Sequence, residues 1–156
     1  MNGRSDHSTD EKFRFVMPAR FRSLLGTEFI LTMGPNRSIR AYPKEVFEQI
    51  LTLFASRSVA DEFDSNSAML QRMVGNSDTV SLDTQFRITI PKYLREWAQI
   101  SENQPVAIFG SGYRVEIWSQ ATWLAYAETT FTDETVRSAT QTRMAEMAKN
   151  ANNEAA

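Results

Sequence analysis

The sequence predicts an α+β protein with a mostly β core: two tandem copies of one unit forming a single pseudo-two-fold barrel, with helices at its periphery. Three observations carry that expectation. The first is an internal repeat, sought before anything else because a period sets the architecture. DEKFRFVMPARFR, starting at Asp10, is echoed by DTQFRITIPKYLR, starting at Asp83. Ser8, Asp10, Phe13, Arg14, Pro18 and Arg22 match Ser81, Asp83, Phe86, Arg87, Pro91 and Arg95 at one fixed offset, and Phe15, Met17 and Phe21 are answered by Ile88, Ile90 and Leu94. After a three-residue shift EFILTMGPNRSIRAYPKEVF lies over QPVAIFGSGYRVEIWSQATW, setting Gly34 on Gly110, Ile39 on Val115, Tyr42 on Trp118 and Phe47 on Trp123. The second observation is two-residue alternation directly after each motif, the mark of a half-buried strand. The third is size. A unit near 40 residues rarely holds a core alone, so the two copies must share one.

Each element follows from its residues. In FRFVMP, Phe13, Phe15 and Met17 point to one side of a strand and Arg14 and Val16 to the other; FRITIP repeats this with Phe86, Ile88 and Ile90 against Arg87 and Thr89. Pro18 and Pro91 stop these strands and suit the first turn of a helix, so ARFRSLLG and KYLREWAQ become short helices, the first closed by Gly26. A hairpin comes next in each copy: EFILTM, a GPN turn and SIRAY, then PVAIFG, SG and YRVEIW. Helices are expected over Lys44–Ala55 and 120–129, the second capped by Ser119. Between the copies, DSNSAMLQRMVG reads as one linking helix ending at Gly75, and DETVRSATQTRMAEMAKN as a last helix capped near Thr132 or Asp133, with a loose NANNEAA tail. The expected boundaries are 1–55 for the first repeat, 56–79 for the linking segment, 80–131 for the second repeat and 132–156 for the C-terminal helix and tail, all in one intertwined domain.

Composition narrows the function. The 156 residues carry 42% apolar content, enough to fill a core, and no apolar run approaches a membrane span. There are no cysteines and one histidine, His7, so disulfide frameworks, thiolate zinc sites and histidine-rich metal centres lack their ligands. A Ser-His-Asp arrangement would have to use His7, and no other recognisable catalytic chemistry is present; an enzyme, a cofactor and a small-molecule substrate are not expected. The setting expected is cytoplasmic. The net charge of −2 does not advertise a nucleic-acid binder. Its distribution is uneven, however: residues 1–22 hold Arg4, Lys12, Arg14, Arg20 and Arg22 against Asp6, Asp10 and Glu11, while the segment from Asp61 to Asp78 is acidic.

The paired Asp-x-x-x-Arg stretches, each running into a hydrophobic strand and Pro, the YP and IW hairpin ends and the LREWAQI helix, in this order, resemble the MraZ family of bacterial transcriptional regulators over most of residues 8–126. The resemblance implies halves related to the AbrB swapped-hairpin fold, binding of double-stranded DNA by the loop around each motif, self-association into rings, a nucleoid-associated location and regulation of a cell-division and cell-wall gene cluster. Carried over by position, the DNA contacts are Lys12 and Arg14 in the first copy and Arg87 in the second, with Gln85 in the slot of Lys12.

One departure from the family is the residue before each motif Arg, Phe13 or Phe86, where the family has Gly. Glycine suits a positive φ, which Phe adopts only at a cost, so the loop tip is expected to be reshaped. Either the strand starts earlier and each Phe joins the core, or an apolar ring stands at a protein or DNA surface. The chemistry of the arginines supports reading of bases, because a guanidinium fork engages two acceptors of a guanine edge or grips a phosphate. Asp10 and Asp83 are expected to structure the turn or orient the Arg, since a carboxylate beside phosphate is repelled; an ion pair between each Arg and its own Asp is the competing interpretation. Arg22 and Arg95 are expected to be solvated or paired with acidic residues. Tyr42, Phe47, Trp97, Trp118 and Trp123 belong to the core or a subunit interface, and Met69, Met73, Met144 and Met147 to helix packing. The charge is too small for tight binding by a monomer, so a homo-oligomer on repeated short boxes is expected. The alternative is a self-assembling or partner-binding scaffold that has lost DNA recognition.

Overall fold

A computed structural model describes residues 1–56, 65–130 and 132–155. Asp61, Asp64 as the expected first residue of the linking helix, and the boundary residue Phe131 lie outside them. Two compact units are present, Met1–Thr122 and Trp123–Ala156.

The first unit builds each copy in the same order. Strand β1 (Asn2–Ser8) is followed by a turn and the short β2 (Arg14–Val16), helix α1 (Ala19–Leu25), the hairpin β3 (Glu28–Met33) and β4 (Ile39–Tyr42), and helix α2 (Lys44–Ala55). Helix α3 (Ser65–Gly75) connects to the second copy: β5 (Ser77–Ser81), β6 (Arg87–Thr89), α4 (Lys92–Trp97), β7 (Pro105–Ser111), β8 (Arg114–Ser119) and α5 (Gln120–Thr130), whose residues from Trp123 onward belong to the second unit. Pro18 and Pro91 stand immediately before α1 and α4, both at φ −55, where a missing N–H costs no helical bond. Gly26, at φ 80, closes α1 with its N–H donated to the Arg22 carbonyl. The Ser119 hydroxyl caps α5, accepting the Thr122 N–H at 3.2 Å.

Six strands form one antiparallel sheet in the order β1-β7-β8-β4-β3-β5, and β2 and β6 form a separate two-stranded ribbon. The leading strands are exchanged: β1 of the first copy pairs with β7 of the second, while β5 of the second pairs with β3 of the first. Equivalent positions meet at the centre of both sheets, Arg40 opposite Glu116 and Phe15 opposite Ile88, as a two-fold relation between the copies requires. The closed barrel does not form. Among the described residues β1 and β5 are the outer strands of the sheet, and the ribbon strands end at Pro18 and Pro91, which have no N–H to continue a ladder.

The repeat also slips by one residue inside the hairpin. Five residues, 34–38, separate the paired Met33 and Ile39, whereas four, 111–114, separate Gly110 and Val115. The alternating burial of β3 therefore matches β7 with Phe29 on Val106 and Leu31 on Ile108, not with Phe29 on Pro105. A turn can lengthen without disturbing the pleat it joins, and composition does not reveal it.

Matched residues of the two copies share one core. Phe15, Met17 and Phe21 pack with Ile88, Ile90 and Leu94, against Phe29, Leu31, Ile108 and Ile117 of the larger sheet. On the other side of the sheet Tyr42, Phe47 and Met73 form a second cluster with Ile30, and the buried Thr32 hydroxyl donates to the Met73 carbonyl at 2.6 Å. Trp118 is buried, and the Trp97 indole donates to the carbonyls of Gly34 and Ser38.

The second unit contains α6 (Asp133–Ala155), whose first turn is capped by the Thr132 hydroxyl accepting the Thr135 N–H. Two expectations change here. The segment after Asn150 continues the helix to Ala155, because Asn, Glu and Ala in a row carry no breaker. Met144 and Met147 are 63% and 61% exposed and fill no core, and Met69 is 42% exposed; of the four methionines at helical spacing Met73 is the buried one.

Candidate nucleic-acid interface

Each Asp-x-x-x-Arg stretch folds as the same hydrogen-bonded turn. In the first copy the Asp10 N–H donates to the Arg14 carbonyl at 2.9 Å and the Phe13 N–H to the Asp10 carbonyl at 3.1 Å. Asp10 Oδ1 accepts the N–H of Lys12 and of Arg14, both at 2.9 Å, and Oδ2 accepts Arg14 Nε at 2.8 Å. The second copy repeats every bond: Asp83 N–H to Arg87 O, Phe86 N–H to Asp83 O, Gln85 and Arg87 N–H to Asp83 Oδ1, and Arg87 Nε to Oδ2 at 2.8 Å. One carboxylate thus holds two backbone donors and one guanidinium.

This turn ends in a bulge that needs its fourth residue in the left-handed region, where glycine is the usual occupant. Phe13 and Phe86 occupy it at φ 57 and 61. Each Phe therefore occupies the conformation that glycine suits, and neither strand starts earlier. The rings stay out of both core clusters, Phe86 being 48% exposed, because the carboxylate bonds and the closing Asp–Arg pair fix the backbone that the side chain must follow. Each Phe carbonyl also bonds the opposite copy: Phe13 O accepts the Ile90 N–H at 3.1 Å and Phe86 O the Met17 N–H at 2.9 Å. The two turns are thereby pinned to opposite ends of the β2–β6 ribbon.

The ribbon buries Phe15 and Ile88 and turns Arg14, Val16, Arg87 and Thr89 outward. Arg14 lies opposite Thr89 and Arg87 opposite Val16, so the two arginines are diagonal neighbours on one surface. Lys12 and Gln85 are exposed at equivalent positions of the two tips. Both arginines are ion-paired with their own aspartates, through Nε in each case. For Asp10, partial burial pushes the pKa up, but the N–H donors of Arg14 and Lys12 and the Arg14 guanidinium outweigh it and hold the carboxyl below its ordinary value. For Asp83 the Arg87 N–H is the leading cause of the same lowering, opposed by partial burial and assisted by the guanidinium and the Gln85 N–H. Each Asp–Arg pair is close to neutral.

Arg22 and Arg95 behave differently from expectation. Among the described residues neither has a carboxylate partner; the Arg95 guanidinium lies over the Phe13 ring at 3.7 Å from its centre, and that of Arg22 over Phe86 at 3.8 Å. Both stacks join one copy to the other. The sequence carried a signal for them, since Phe and Arg recur together at the same offset, but the partners lie in opposite halves of the chain.

Among the described residues no group of three acidic, histidine or cysteine side chains could hold a metal ion, and no helix is long and apolar enough to cross a membrane. A family model described as "MraZ protein, putative antitoxin-like" matches residues 1–70 and 73–146, one match for each half. The chain is 36% identical to a protein of Roseiflexus castenholzii over 78% of its length and 82% of the relative's. It is 34% identical to one of Leuconostoc mesenteroides over 84% and 89%, and 36% identical to one of Cutibacterium acnes over 76% and 81%. All three relatives bear the name "Transcriptional regulator MraZ".

Proposed function

The chain belongs to the MraZ family, and we propose that it is a sequence-specific DNA-binding transcriptional regulator in which the β2–β6 ribbon enters the major groove. The names of its relatives are those of regulators, not enzymes. The observation that carries the proposal is the placement of Arg14 and Arg87 side by side on the outward surface of that ribbon. A major groove about 12 Å wide admits a two-stranded ribbon, and an arginine fork there reads guanine through its O6 and N7 acceptors. The carboxylate bond to Nε orients each guanidinium and leaves its two terminal nitrogens for a base. Lys12 and Gln85, exposed at the tips, reach the adjoining backbone or base edges.

The exchanged leading strands support a relation of each half to the AbrB swapped-hairpin fold. A single chain with net charge −2 neutralises few phosphates, which supports action as a ring-like homo-oligomer on repeated short boxes, with avidity set by their spacing. The family resemblance points to a cell-division and cell-wall gene cluster as the target, in the cytoplasm at the nucleoid.

The ion pairs Asp10–Arg14 and Asp83–Arg87 favour a second reading, a self-assembling scaffold that no longer reads DNA, because paired arginines bind other acceptors less strongly. Selection from a pool of random duplexes separates the two. A regulator enriches a short box in direct repeat, and a pool that stays random after several rounds removes the proposal.

A further inference from the structure

From the pair of cross-copy stacks we infer a phosphate-gripping site distinct from the motif arginines: Arg22 and Arg95, held on the rings of Phe86 and Phe13, clamp the two strands of a duplex on either side of the ribbon. The inference rests on the DNA-binding proposal and adds to it which side chains supply the electrostatic grip. Charge bookkeeping is the first ground. Arg14 and Arg87 are each offset by an aspartate at 2.8 Å, whereas Arg22 and Arg95 have no acidic partner among the described residues, so they leave uncompensated charge flanking the ribbon. Geometry is the second. With the guanidinium carbons 3.8 and 3.7 Å from the ring centres, the aromatic face takes none of the fork's N–H donors as a conventional acceptor would, and a phosphate accepts such a fork in bidentate fashion.

The third ground is position. The Phe13 carbonyl bonds Ile90 and the Phe86 carbonyl bonds Met17, so the stacks stand at opposite ends of the ribbon. The four steps from Phe13 to Met17, at strand spacing, span roughly 13 Å. That matches a major groove of about 12 Å, whose rims are phosphates. The last ground is the strain itself. Phe is held at φ 57 and 61 in both copies, a conformation that glycine adopts freely, and in both copies the ring carries an arginine from the other half. Phe13 and Phe86 are thus positioning residues for the clamp.

The test is the salt dependence of binding to a fluorescein-labelled random-sequence duplex, which reports phosphate neutralisation whatever the operator. The slope of log K against log salt becomes shallower by about 0.9 for each phosphate the protein no longer neutralises. The Arg22→Gln/Arg95→Gln chain is expected to show that shallower slope and at least a tenfold weaker binding at moderate salt. Phe13→Leu/Phe86→Leu binds several-fold more weakly, and Phe13→Trp/Phe86→Trp restores binding, a rescue that a merely structural role would not tie to aromaticity. A folded Arg22→Gln/Arg95→Gln chain with the parent slope overturns the clamp while leaving DNA binding intact. Should that pair fail to fold, the single variants Arg22→Gln and Arg95→Gln decide: the parent slope in each overturns it equally. A parent chain with no salt-dependent duplex binding removes the DNA-binding proposal and the clamp together.

Discussion

The Arg95 guanidinium lies 3.7 Å from the centre of the Phe13 ring, and that ring belongs to a residue with φ 57. The contact and the strain oppose each other. A non-glycine residue in the left-handed region costs about 1 kcal/mol, while a cation over an aromatic face returns roughly 0.5–1 kcal/mol at an exposed site. Phe13→Gly and Phe86→Gly are therefore expected to change stability by less than about 1 kcal/mol each. Phe13→Ala, which loses the ring and keeps the strain, falls below Phe13→Gly by about 1 kcal/mol, the reverse of the usual order. Urea unfolding of these variants checks the ranking, and alanine at or above glycine contradicts the strained turn.

Asp10 and Asp83 make stability depend on acid. Each folded-state pKa lies below its ordinary value of 3.8. As pH falls through that region the unfolded chain takes up protons first, so stabilisation that is complete above the ordinary value is lost toward the lower folded pKa. Asp10→Asn/Asp83→Asn should lower the urea midpoint at neutral pH and flatten the decline below about pH 4. A decline of unchanged steepness in the variant would assign it to other carboxylates.

The exchanged strands make the copies interdependent. A chain of residues 1–76 lacks the β7 partner of β1 and the β6 partner of β2, and 77–156 lacks the β3 partner of β5. Each fragment alone is expected to be unfolded by far-UV circular dichroism, and an equimolar mixture to recover the spectrum. A cooperative thermal transition in either fragment alone contradicts the shared core.

At the centre of that core Phe15 faces Ile88, both essentially inaccessible to solvent. Phe15→Ala is expected to cost about 3–5 kcal/mol and Ile88→Ala about 2–5 kcal/mol. Because both line one cavity, the double variant loses less than the sum of the two. Additive losses in a urea double-mutant cycle would place them in separate cores.

Much of this was legible in the residues because repetition reports architecture directly. Alternation located β2 and β6, proline and glycine bounded α1, and Tyr42, Phe47 and Trp118 were buried as aromatic residues at strand ends and helix faces tend to be. The tips misled for a physical reason. Phe has a low preference for positive φ, and a local preference gave the wrong answer where three bonds from one carboxylate dictate the backbone. Arg22 and Arg95 looked like solvated helix residues because their rings come from the other copy, a partnership created only by the crossing of strands. The open sheet was hidden too, since closure depends on how far the ribbon ladder extends and not on the pattern within it.

The most direct test of base reading by the ribbon is a fluorescence-anisotropy titration of the Arg14→Ala/Arg87→Ala chain on the duplex enriched by selection, against a scrambled duplex of the same length. A bidentate bond to guanine is worth about 1–3 kcal/mol, so preference for the enriched duplex should collapse by roughly 5- to 150-fold per arginine while the far-UV spectrum and hydrodynamic size stay unchanged. Undiminished preference in the folded double variant would contradict it.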